Sequence, residues 1–351
     1  MGTISDPKRI LIVLHGSIGD VTRALPLANL LRLGFPKATL SWAVEPPSFP
    51  LLEHYPVLDE VILFDRRRWW RTMGPFLRKI RSKRFDLVLD LQRHLKSGII
   101  SRWTGAPYRL GFNRLDCKEF NWLFNNHFIP ATGDGISKLD HYLKFAVALG
   151  LKPHPIEWKF KLTAHEESAV EKHLEKVSRS YGVLFIGSRW ESKRWFPAQA
   201  AECARLIHER HKLDVVLLGD KKDQALARAA KDMAAVSMTD LVGRTSLREA
   251  IGVIARARVA VGPDTGLMHI AAAVGTPVVS LWGATSPIRT GPYGFEQLVV
   301  QGTAPCSPCY LKHCPIGRIC MQSIETEEVA AKIRRALSQG HREAIGDAGR
   351  A

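Results

Sequence analysis

Three stretches of this sequence concentrate side chains that can hold phosphates or move protons. The first is HGSIGDVTRALPL, where Gly16 and Gly19 allow a tight turn close to a ligand and Asp20 stands where a helix begins. An aspartate there can accept backbone N–H bonds as a helix N-cap, or take a proton from a hydroxyl as a general base. The local pattern leaves both readings open, because GxxGD is a weak motif and the GxGxxG spacing of dinucleotide-binding loops is absent. The second stretch, VGPDTGLMHIAAAVGTPVVSLWGATSP, puts Asp264, Thr265 and Gly266 at a strand-to-helix turn with His269 one turn further on. Unpaired N–H groups and the positive helix end at such a turn suit an anion such as a diphosphate. A plainer account has Asp264 and Thr265 cap the helix and His269 pack inside; a second polar turn, Gly283 to Pro287 after the next strand, weighs against it. The third stretch, GSRWESKRWFP (187–197), offers Lys193 or Arg194 to neutralise a diphosphate, although a surface loop uses the same residue types.

These stretches need strands to carry them. Short apolar runs alternate with helical patterns: 9–15, 39–45, 60–65 and 86–92 in the first half, then 181–188, 214–220, 257–264 and 276–283 in the second. That alternation predicts βαβ units and parallel sheets. A Pro-rich, charged stretch, LGLKPHPIEWKFKLTAHEE, separates the halves. The expected fold is α/β: two Rossmann-like doubly wound domains facing a central cleft, residues 1–155 and 156–340, with a disordered tail at 341–351. Ligands in such sheets sit at the carboxyl ends of strands, where all three stretches fall.

With 46% hydrophobic and 24% charged residues and no low-complexity tract, the 351-residue chain reads as globular. The N-terminal apolar run is too short and wrongly flanked for a signal peptide, and no stretch approaches the roughly 20 apolar residues of a membrane span. The formal net charge of +16 points to polyanionic partners: nucleic acid, acidic lipid surfaces or phosphorylated substrates. Arg66 to Arg84 holds nine Lys or Arg and no acid, interleaved with Trp69, Trp70 and Phe76. It reads either as an anion-meeting interface or as a solvated basic helix with its aromatics packed inward. Four of the six cysteines, Cys306, Cys309, Cys314 and Cys320, lie within 15 residues. Their density suggests a structural zinc or iron–sulfur site, yet the spacing fits neither common zinc-finger nor ferredoxin patterns, and free or redox-active thiols are the other reading.

Taken together, the chain from Arg9 to about Arg335 resembles glycosyltransferase family 9, the ADP-heptose:lipopolysaccharide heptosyltransferases, and most closely the heptosyltransferase I type. The resemblance is carried by GSIGDVTRALPL, WAVEPPSFPLLEHYPVLDEVI, RRRWWR, FDLVLDLQRHLKSGIISRWTGAPYRLGF, SRWESKRWF and GPDTGLMHIAAAVGTPVVSLWGATSP. It implies the GT-B architecture, with Asp20 as catalytic base. Asp264, Thr265, Gly266, Leu267 and His269 would line the ADP-sugar site, with Ser188 and Lys193 near the phosphates. Arg66, Arg67, Arg71 and Lys96 would meet the acceptor. The implied reaction transfers heptose with inversion onto Kdo-lipid A or a partial core, with no cofactor required for catalysis. The implied setting is a cytoplasmic monomer in peripheral contact with the inner membrane, with no nucleic-acid partner. The acidic ribose contact of the family has only Asp223 as a loose counterpart. Another ADP- or UDP-sugar donor, a sugar-nucleotide 2-epimerase and a non-enzymatic polyanion-binding protein are the alternatives; the last two leave the three turns jointly unexplained.

Overall fold

The computed structural model describes residue 4 and residues 6–340, apart from 134, 153 and 179; the expected tail, 341–351, lies outside these. The chain divides between Lys161 and Leu162 into two compact units, each built on a six-stranded sheet whose neighbouring strands all run parallel.

The first unit contains β1 (Arg9–Val13), α1 (Ile18–Gly34), β2 (Thr39–Val44), β3 (Glu60–Leu63), α2 (Trp69–Ser82), β4 (Leu87–Asp90), α3 (Leu95–Trp103), β5 (Tyr108–Gly111), β6 (His127–Phe128) and α4 (Lys138–Ala148). Its strand order is β3-β2-β1-β4-β5-β6. Ile10 to Val13 and Leu87 to Asp90 are buried throughout, as expected for central strands covered on both faces. The order reverses between β1 and β4, so the segments after these two strands flank the place where a doubly wound sheet takes its ligand. Asp20 follows β1 and Lys96 follows β4.

Helix α1 is lined by buried residues almost continuously from Val21 to Leu31, and α4 packs on it. Pro26 lies inside it and has no N–H to give to the Thr22 carbonyl one turn back. The Trp158 indole N–H donates to that carbonyl instead, at 2.7 Å. Asn29 Nδ2 donates to Glu157 O at 2.7 Å, and Lys159 N to the Tyr55 hydroxyl at 3.1 Å. These bonds bind the end of the connector to the first unit, which places the division after Lys161 and not at the expected 155/156. On the other face of the sheet, α2 sets Phe76 and Ile80 against Leu11, Val13, Ile62, Phe64 and Val88. The basic stretch is thereby split: Phe76 packs inward while Trp69 and Trp70 stay exposed.

The second unit contains α5 (Ala164–Leu174), β7 (Tyr181–Phe185), α6 (Pro197–His211), β8 (Asp214–Leu218), α7 (Gln224–Met233), β9 (Met238–Asp240), α8 (Leu247–Ala255), β10 (Val259–Pro263), α9 (Gly266–Ala273), β11 (Val278–Trp282), α10 (Pro287–Thr290), β12 (Val299–Gln301), α11 (Ile319–Gln322) and α12 (Thr326–Gln339). Its order, β12-β11-β10-β7-β8-β9, reverses between β7 and β10. The stretch at 187–197 follows β7 and Asp264 follows β10, so both lie at this switch point. Among the described residues no helix is long and apolar enough to cross a membrane.

Candidate active site

In the first unit, Ser17 and not Asp20 caps α1. Ser17 has extended backbone angles and its Oγ accepts from Asp20 N at 3.4 Å. The capping reading of Asp20 is therefore corrected: Asp20 sits in the first helical turn, and its carboxylate is available for other partners. Those partners are cations. Arg23, one turn along α1, donates to Oδ1 at 2.8 Å, and Lys138 at the start of α4 donates to the same oxygen at 2.7 Å. The Ser17 hydroxyl donates to Oδ2 at 3.0 Å. Burial alone would raise the Asp20 carboxyl, but the charges of Lys138 and Arg23 and the hydrogen bonds from Lys138 and Ser17 outweigh it, holding the group well below the ordinary carboxylate range. Gly16 is required here, since a Cβ on it would stand 2.8 Å from the Asp20 Cβ.

Further groups end or follow the strands of this sheet at the same carboxyl edge. His15 is buried against Phe64, and burial pushes its imidazole down to about 4, against a partial counter-effect from a Gln92 hydrogen bond, with the Arg66 charge lowering it further. It is neutral at physiological pH. Arg66 is paired with Glu45 at 3.2 Å, and Arg67, Arg71 and Lys96 are exposed. Asp90, at the end of β4, is buried; burial lifts its carboxyl to about 6 against the pull of hydrogen bonds from Asn121, Ser97, Asn125 and the Gln92 backbone. Arg23 and Lys138 escaped the sequence reading. Arg23 carried a signal in its i,i+3 spacing from Asp20, but Lys138 comes from 118 residues away and carried none.

In the second unit the expected donor residues converge on Asp264. Lys193 Nζ reaches its Oδ2 at 2.5 Å, and the Thr285 hydroxyl donates to the same oxygen at 2.8 Å. Ser188 Oγ donates to the Asp264 carbonyl at 3.0 Å, and His269 Nε2 lies 3.9 Å from Oδ1. The Lys193 ammonium also stands 4.3 Å above the Trp190 ring. Thr265 occupies the N-cap of α9 with no side-chain cap bond, so it does not stopper the helix; Gly266 and Leu267 begin it. That leaves an N-terminus of the kind that binds anions next to a lysine held by a carboxylate, which in turn accepts from the Thr285 hydroxyl. Asp223, the loose ribose candidate, turns its carboxylate onto Asp220 N at 3.0 Å and lies under Gly187, where a Cβ would overlap it. It serves the local turn.

The cysteine-bearing segment straps both loops of this cluster. Cys314 N donates to Glu191 at 3.1 Å, Ser192 Oγ to Leu311 O at 2.5 Å, and Arg318 to Arg194 O at 2.9 Å. On the far side Ser307 Oγ donates to Gly283 O at 2.6 Å and Tyr310 N to Ala284 O at 2.8 Å. Among the described residues no three His, Cys, Asp or Glu side chains form a group able to hold a metal ion. The structural zinc or iron–sulfur site expected at Cys306, Cys309, Cys314 and Cys320 is not shown by this arrangement. Cys306 is exposed, whereas Cys320 is buried with its thiol raised by that burial.

The sequence profile of Glycosyltransferase family 9 (heptosyltransferase) matches residues 73–320. Lipopolysaccharide heptosyltransferase 1 of Pseudomonas aeruginosa is 29% identical over 317 residues, 87% of each chain. Among solved structures, a family 9 glycosyltransferase from Veillonella parvula superposes with a TM-score of 0.82 at 19% identity, covering 96% of this chain and 99% of its own. The E. coli heptosyltransferase WaaC with ADP superposes at 0.74 and 21% identity, covering 93% and 99%. With the family profile covering well over half its length and both sheets shared with GT-B neighbours, this chain belongs to glycosyltransferase family 9, the heptosyltransferases.

Proposed function

We propose that this enzyme transfers heptose from ADP-heptose, with inversion, to Kdo-lipid A or a partial inner core in lipopolysaccharide biosynthesis, working at the inner face of the inner membrane as a monomer. The observation that carries the reading is the pair of constellations at two switch points: an ionised carboxylate among cations after β1, and a carboxylate-held lysine beside an open helix N-terminus after β10. Asp20 acts as the base. It is already deprotonated at neutral pH, and its low basicity fits a proton that leaves the acceptor hydroxyl as that hydroxyl attacks and becomes acidic. Lys193 and the first N–H groups of α9 meet the charge growing on the departing diphosphate. Arg66, Arg67, Arg71 and Lys96 receive acceptor phosphates and carboxylates. No cofactor is required for the chemistry.

The test is incubation with ADP-heptose and defined Kdo-bearing acceptors, read by mass. The wild type is expected to add one heptose. Asp20→Asn is expected to lose activity by about 10²- to 10⁴-fold with ADP affinity unchanged. Near-normal turnover in that variant would remove Asp20 as the base.

A further inference from the structure

Lys138 reaches Asp20 from the start of α4, and a set of buried groups at the same carboxyl edge fixes where that helix starts. The chain between β6 and α4 reads PATGDGIS, polar and glycine-rich, with Gly133 at φ +66°, a conformation that favours glycine. A stretch of this composition does not anchor a helix by apolar packing. Asp116, in the turn after β5, anchors it instead: Oδ2 accepts from Thr132 N at 2.9 Å and Oδ1 from Gly133 N at 2.9 Å. Two successive N–H groups turned onto one carboxylate form an anion-holding nest. Asp116 is itself fixed, since its carbonyl accepts from Arg93 Nε and its N–H donates to Asn113 O at 2.9 Å.

Thr132 passes this hold on to α4. Its hydroxyl shares a 2.7 Å hydrogen bond with His141 Nε2, and Asp116 Oδ2 lies 3.5 Å from that hydroxyl and 3.7 Å from the same ring nitrogen. Asp116 and His141 are both buried, and the imidazole packs edge-on against the Phe112 ring with centroids 4.7 Å apart. In such a buried polar set, removing one member leaves another unserved, so the set resists displacement. Lys138 precedes His141 by three residues, which places both on one side of the first turn of α4. Ser17 and Arg23 travel with Asp20 on α1, whereas Lys138 meets it only when α4 is in place. Arg23 and Lys138 both occupy Oδ1. Among the described residues Oδ2 accepts only from the Ser17 hydroxyl, so it keeps a lone pair for a substrate proton.

We propose that Asp116, Thr132 and His141 form a latch that sets Lys138 on Oδ1 of Asp20 and thereby aims Oδ2 at the acceptor hydroxyl. The three are positioning residues that act through Lys138, and the inference rests on Asp20 being the base. The test is a double-mutant cycle on the full chain. It is read by transfer from ADP-heptose to a Kdo-bearing acceptor and, without turnover, by carbon NMR of the Asp20 carboxyl as the pH is lowered. Thr132→Val is expected to lower kcat about tenfold, as small misplacements in a catalytic site do, with ADP affinity and acceptor KM unchanged. Thr132→Ser keeps the hydroxyl and is expected to restore kcat. With Lys138→Met already present, Thr132→Val is expected to change kcat by less than about twofold. In the NMR titration, Thr132→Val is expected to let Asp20 take up its proton at higher pH than in the wild type, because burial weighs more once the Lys138 charge is displaced. That shift, too, is expected only while Lys138 is present. Equal kcat losses with and without Lys138, or an Asp20 titration that Thr132→Val leaves unmoved, would overturn the latch. If Thr132→Val does not fold, His141→Leu removes the same bond from the other side, with His141→Gln as its conservative counterpart. Near-normal turnover in Asp20→Asn would remove the base, while the NMR cycle would still decide whether the latch places Lys138.

Discussion

Asp20 illustrates how one carboxylate can be read two ways until its neighbours are known. From HGSIGD alone both a cap and a base can be read, the cap more readily; Ser17 takes the cap, which removes that role from Asp20. The cations around Asp20 then have a measurable consequence. Removing one of them lets burial weigh more, so Lys138→Met is expected to raise the Asp20 pKa and move the acid limb of the kcat/KM profile to higher pH, checked by pH–rate measurements. An unmoved limb would mean that Lys138 does not set the charge state of Asp20. At the donor cluster, Lys193→Ala is expected to weaken ADP binding about ten- to a hundredfold, the range for a charge-assisted hydrogen bond. Asp264→Asn keeps an oxygen for Lys193 and Thr285, and is expected to lose less; calorimetry with ADP would rank the two. Asp264 and Lys193 were legible because each follows a recognisable strand. Thr285 was visible only as part of a polar turn, and Lys138 not at all, because nothing local ties residue 138 to residue 20.

At the scale of elements, the strands that could be read are those the sheets bury. β1, β2, β4, β7, β8, β10 and β11 are largely apolar runs in central positions, and β3, at an edge, was read from the apolar run at 60–65. β6, β9 and β12 lie at sheet edges, and β5 lies next to one; they are two to four residues long and partly exposed, so they carry no periodic signal. Some helix starts are fixed by strong local caps. Thr163 accepts from Glu166 N while Glu166 returns a bond to Thr163 N, a capping box at the head of α5, and Arg248 holds the same glutamate across to α8. Thr163→Ala is expected to cost about 1 kcal/mol, measured by urea unfolding. A change within error would show that Arg248 alone maintains that helix start.

The whole molecule is two units with separate sheets and separate cores, joined through a connector whose last residues belong to the first unit. Unfolding is therefore expected in two transitions. Thr163→Ala should lower only one of them, and added ADP should raise that same one, because the expected donor residues all lie after Leu162. If ADP raised the transition that Thr163→Ala leaves alone, the donor site would have been assigned to the wrong unit. The division into two doubly wound halves was legible from alternating runs, but its position was not. Trp158 and Lys159 read as linker residues by composition, and only their bonds to Thr22 and Tyr55 assign them.

The bond from Trp158 to the carbonyl that Pro26 leaves unserved also bears on how such a sequence can drift. While Pro26 is present, losing the indole strands a buried oxygen. If Pro26 is replaced first by a residue with its own N–H, the helix closes that bond itself and the tryptophan becomes replaceable. The two positions are thus epistatic with a direction: descendants can reach the doubly changed state cheaply through position 26 first, and only at a penalty through position 158 first.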